Sequence, residues 1–189
     1  MLSGELVVHM SATTAEAAGV LCKRYGPGRL PGADNRAVGA GYAFATAALL
    51  ASVAFVALNG VAMLVAAGPG GLQVYPGGLL YFGLRAPLFV VPAAFAAGAL
   101  AWRFVPRDLP YYGPVSGVVA TVLTYVGAAV LVAVAILGDM LFSPTVFEPV
   151  TAVFVGALFG GFGFVYTFWI TLPIGALSGY IHERTVAEN

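Results

Sequence analysis

Ser178 and His182 lie four residues apart in the stretch GALSGYIHER near the C-terminus. A persisting helix would bring both to one face. A hydroxyl beside an imidazole is the beginning of a nucleophile–base pair, the chemistry of an intramembrane hydrolase. That chemistry also needs a group to orient the imidazole and donors for an oxyanion. The neighbouring sequence offers neither. A histidine followed by Glu183 and Arg184 reads more simply as the polar end of a helix.

Arg85 is the second place where chemistry is conceivable. It is the one charge in the apolar run LLYFGLRAPLFVVPAAF, residues 79–95. An arginine at the bilayer centre costs about 2.5–3.5 kcal/mol on insertion scales, so its depth matters. Arg103 follows 18 residues later, a helical rise of about 27 Å, close to the ~30 Å of hydrocarbon in a bilayer. If Trp102 and Arg103 mark one interface, Arg85 falls at the other. There it can snorkel to headgroups or pair with Asp139 or Glu148. Asn59 lies 23 residues beyond Arg36 and reaches the same level. Asn59, Arg85, Asp139 and Glu148 therefore form the expected polar cluster, the mouth of a pathway if the chain moves a solute.

These positions are meaningful only within long apolar elements. Of 189 residues 60% are hydrophobic and 8% charged, with mean hydropathy +0.94. A soluble domain carries about 25% charged residues, more than this chain has to cover a surface in water; a bilayer removes that need, because lipid tails accept an apolar exterior. No Asp, Glu, Lys or Arg occurs between Arg36 and Arg85, Asp108 and Asp139, or Glu148 and Glu183. Each run exceeds the ~20 residues that cross a membrane.

Four spans are predicted, at about 39–66, 80–102, 115–138 and 150–180. They are separated by GPGGLQVYPGG (68–78), RFVPRDLPYYGP (103–114) and DMLFSPTVFEP (139–149). Short connections make consecutive helices antiparallel neighbours. The expected fold is an all-α membrane protein, a four-transmembrane-helix antiparallel up-down bundle. Pro87 and Pro92 kink its second helix and Pro173 its fourth. A polar segment over 1–36 precedes the membrane domain (37–182), and a short tail (183–189) follows. Residues 11–26 read as a short helix, and Met10 is an alternative start to Met1.

Lys23, Arg24, Arg29, Arg36, Arg103, Arg107 and Arg184 all fall on one side of this topology, and at most Arg85 on the other. The positive-inside rule then places both termini in the cytoplasm of a cell whose plasma membrane holds the chain. Arginine outnumbers lysine seven to one and the apolar residues are mainly Ala, Val, Gly and Leu, which suggests a high-GC prokaryote. Tyr75, Tyr81 and Phe142 would belt the outer interface, and Trp102, Tyr111, Tyr112 and Tyr180 the inner one.

Small residues recur at helical spacing: Gly39, Ala43, Ala47 and Ala51 on the first span, then Ala94 and Gly98 on the second. Gly156 with Gly160, and Gly175 with Gly179, do so on the fourth. Such stripes let backbones approach closely in lipid. GPVSG (113–117) at the start of the third span is echoed by GALSG (175–179) at the end of the fourth.

The single cysteine, Cys22, excludes an intrachain disulfide or a cysteine metal cluster. No phosphate-binding loop, HExxH, CxxC or paired intramembrane histidines occur. No catalytic residue, cofactor or metal ligand is assigned, and no basic block points to nucleic acid. The expected function is that of a non-enzymatic assembly partner or accessory subunit in the lipid bilayer. The alternative is a homo-oligomeric transporter or channel subunit with the Arg85 cluster at its outer mouth.

Overall fold

The computed structural model describes residues 29–66, 76–142 and 148–187. The predicted helix over 11–26, residue Tyr75, most of the 68–78 connection and half of the 139–148 connection lie outside them. Among the described residues there are four helices: α1 (Arg36–Ala66), α2 (Pro76–Phe104), α3 (Tyr112–Phe142) and α4 (Pro149–Ala187). All four are long and apolar enough to cross a membrane. The chain is a multi-pass membrane protein built as an antiparallel four-helix bundle.

Local chemistry sets the helix starts. Asn35 caps α1, its Oδ1 accepting from the backbone N–H of Ala37 at 3.0 Å. The tight turn before it uses Gly32 at φ +77°, the left-handed region that glycine enters without penalty. Pro149 opens α4, where a missing N–H costs nothing. The Glu148 side chain just before it accepts from the Thr151 hydroxyl at 3.0 Å. At α3 the entry is tighter. Tyr111 takes φ +59°, an unfavourable conformation for a residue with a β-carbon, and Pro114 follows within the first turn.

α2 continues through Pro87 and Pro92, and α4 through Pro173. At 39 residues, α4 would extend about 58 Å if straight. It overshoots the hydrocarbon further than the predicted span does.

Packing runs round the bundle in sequence order. The α3–α4 and α1–α2 contacts are the most extensive, α2–α3 follows, and α1–α4 closes the ring with the sparsest contact. The buried cluster consists of Ala40, Phe44, Ala94, Ala101, Trp102, Tyr112 and Ala120. It lies towards the end where α1 begins and α4 finishes, termed the terminal end below. Alanines dominate it because in lipid close van der Waals approach, rather than removal from water, holds helices together.

Candidate functional site

The most organised polar assembly occupies the terminal end and draws one or more residues from every helix. Arg36 is the first residue of α1, Trp102 lies in the last turn of α2, Tyr112 begins α3, and His182 and Glu183 stand near the end of α4. Trp102 and Tyr112 are each only 3% exposed. Their rings meet edge to face with centroids 4.9 Å apart, a geometry that sets the positive edge of one ring on the negative face of the other.

Around this aromatic pair the polar groups interlock. The Tyr112 hydroxyl donates to the Trp102 carbonyl at 3.1 Å, fastening the start of α3 to the end of α2. The His182 ring stands edge to face on Trp102, centroids 4.6 Å apart. Its Nε2 lies 3.1 Å from the Arg36 carbonyl. A carbonyl only accepts, so Nε2 carries the proton in this contact. The bond ties α4 to α1. The Arg36 guanidinium carbon is 4.9 Å from the Trp102 ring centre and 5.2 Å from that of Tyr112, within cation–π range of both.

Glu183 adds a connection from α4 to α3. Its Oε2 accepts the N–H of Gly113 at 3.0 Å. The first N–H groups of a helix have no partner inside it, and a carboxylate there also meets the positive end of the helix dipole. One α4 side chain thus caps α3 from outside.

A second polar group sits about halfway along the α3–α4 seam. The Tyr125 hydroxyl is 2.5 Å from Thr167 Oγ1 and 2.6 Å from Thr171 Oγ1. The Thr167 hydroxyl also donates to the Gly163 carbonyl at 2.7 Å, and that of Thr171 to the Thr167 carbonyl at 3.0 Å.

The sequence-predicted cluster lies towards the opposite end of the bundle. Arg85, Asp139 and Glu148 are exposed there. Glu148 is engaged with Thr151, and the side chain of Asn59 lies outside the described residues. Ser178 is half-buried on α4, while His182, four residues on, makes its hydrogen bond to α1.

Among the small residues, Gly98 packs on Phe44 and Ala40 of α1, and Ala94 is buried beside that contact. Gly39 approaches His182. Ala43, Ala47 and Ala51 are half-buried, and the most deeply buried α1 positions are Ala40, Gly41 and Phe44. Gly156 and Gly160 pack on Ala129, Ala133 and Tyr125 of α3. The two echoed motifs face each other, Gly175 against Gly117 and Gly179 against Gly113.

Two of the expected belt residues need correcting. Trp102 and Tyr112 are core residues of the terminal end, not lipid-facing anchors. They stand near helix ends, as expected, but they point inward, and position along a helix does not fix direction around its axis. His182, read as an ordinary polar helix end, is a bridge between α4 and α1 for the same reason. The clue available in the sequence was the placement of Arg36, Trp102, Tyr112 and His182 at one membrane level. Compared with known proteins, the chain matches no family model, no curated protein and no solved structure.

Proposed function

We propose that the chain is a non-enzymatic integral membrane protein, an assembly partner or accessory subunit of another membrane protein. In this reading it resides in a plasma membrane with both ends cytoplasmic, as the arginine distribution favours. One observation carries the proposal. The α3–α4 seam is closed backbone against backbone, since a β-carbon on Gly117 would lie 2.8 Å from the Gly175 carbonyl carbon. That leaves no width for a solute between these helices.

The polar side chains of the bundle support the same reading. Glu183 and His182 join helices at the terminal end, and Tyr125 joins them at mid-depth. Outward, α4 presents Val153, Phe154, Val165 and Trp169, a surface for lipid or for another membrane helix. Reconstitution of the purified chain alone into sealed vesicles tests the proposal. Ion and small-solute flux equal to that of protein-free vesicles is expected. A flux abolished by Arg85→Ala would replace the proposal with a homo-oligomeric transporter or channel.

A further inference from the structure

Among the described residues two have a positive φ, Gly32 at +77° and Tyr111 at +59°. Glycine enters this region without penalty, whereas a residue with a β-carbon does not. Tyr111 is also 81% exposed, so packing of its side chain inside the bundle does not offset that cost. Its backbone is nevertheless held. The Tyr111 carbonyl accepts the Val115 N–H at 3.0 Å, and the next residue, Tyr112, is buried and bonded to the Trp102 carbonyl. The left-handed turn separates the two tyrosines, one in the core and its neighbour outside it. A glycine would make the same turn. A ring presented there against the backbone preference has its use outside the fold.

The surroundings of Tyr111 indicate what covers it. Phe104, the last residue of α2, is 72% exposed and Leu109 39%. Arg103 and Arg107 are exposed beside them, against the single acid Asp108. The Arg103 guanidinium carbon lies 5.9 Å from the Phe104 ring centre. Both flanking helices are long and apolar enough to span a membrane, so a connection this short stays at the level where they leave the hydrocarbon. Aromatic rings with a polar tip and arginines on apolar stems are the side chains that settle at that level. Of the belt residues expected there, Trp102 and Tyr112 are buried, which leaves Tyr111 as the tyrosine this connection presents.

We propose that the α2–α3 connection docks in the phospholipid headgroup layer with Tyr111 as its anchor. The ring lies against the upper acyl chains and its hydroxyl donates to a phosphate or ester oxygen. Arg103 and Arg107 meet lipid phosphates from the same connection. Because Tyr112 fastens the start of α3 to the end of α2, the anchor sets the depth of both helix ends together. This docking surface goes beyond the assembly role and does not depend on it.

Trp102 and Trp169 are the two tryptophans of the chain, and Trp169→Phe leaves only the buried one. Adding Tyr111→Trp puts a second large amphipathic ring at the anchor. The full chain with both substitutions, and with Trp169→Phe alone, is placed in vesicles of phosphatidylcholine and phosphatidylglycerol. The emission that the first chain has in excess of the second should be quenched by lipid brominated high on its acyl chains, and less by aqueous iodide. Quenching by iodide with none by the brominated lipid puts the ring in water and overturns the proposal. Protection from both quenchers assigns the ring to a protein surface and overturns it equally. A second variant tests the restraint itself. Tyr111→Asn keeps a residue that tolerates this φ but removes the ring. Amide hydrogen exchange over 105–111 in the vesicles should be several-fold faster in Tyr111→Asn and unchanged in Tyr111→Trp. Equal exchange in Tyr111→Asn and the wild-type chain overturns the anchoring.

Discussion

Gly117 and Gly175 meet across the α3–α4 seam with no room for a side chain on either. A β-carbon on Gly117 would sit 2.8 Å from the Gly175 carbonyl carbon and 3.0 Å from the Ala176 Cα. One on Gly175 would meet the Gly117 oxygen at 3.0 Å and the Thr121 hydroxyl closer still. Gly113 and Gly179 repeat the arrangement one turn nearer the terminal end. The motifs GPVSG and GALSG are thus two halves of one antiparallel contact. Backbone proximity of this kind is what gives helix association its van der Waals energy in lipid.

Gly117→Leu forces the seam apart and should lower stability by about 1–3 kcal/mol, the usual range for overpacking. Gly161 is the internal control, because nothing lies within 4 Å of the β-carbon it would gain. Gly161→Ala should be neutral or stabilising by about 0.5–1 kcal/mol, through the better helix propensity of alanine. Unfolding midpoints of the purified variants in a denaturing detergent titration check both.

Glu183→Ala should destabilise by about 0.5–2 kcal/mol, the range for losing a helix cap. The loss should be local. Amide hydrogen exchange at Gly113 and its neighbours in α3 should rise while mid-helix α1 stays protected. Uniform exchange across all four helices would mean that Glu183 has no special role in holding α3.

The architecture was legible in the sequence because the physics of spanning is one-dimensional. The charge-free stretches bounded by Arg36, Asp108 and Glu148 delimit helices without reference to any tertiary contact. Glycine spacing at 156/160 and 175/179 likewise marked faces that do pack on α3. The terminal assembly was not legible, since Arg36, Trp102, Tyr112 and His182 come from four helices. Their meeting depends on how each helix is rotated. Composition placed Trp102 and Tyr112 at an interface but could not distinguish a ring facing lipid from one facing the core. The Glu183–Gly113 cap was hidden because capping signals are sought next to a helix start, and this one arrives from 70 residues away.

Tyr125→Phe should cost little. The Thr167 and Thr171 hydroxyls already donate to the Gly163 and Thr167 carbonyls, so the Tyr125 proton can serve one of its two threonine contacts at a time. Removing it deletes one interhelical hydrogen bond, about 0.6 kcal/mol on average within a membrane and up to about 1.7. A loss well above that range, read in the same unfolding titration, would show that the hydroxyl group acts as a larger cooperative unit.

The assembly role is tested most directly by the mass and composition of the particle that the tagged chain forms when purified from its native membrane in mild detergent. A stoichiometric second protein is expected, retained by the wild-type chain and by Arg85→Ala alike. A homogeneous particle containing only copies of this chain, and active in flux after reconstitution, would contradict it.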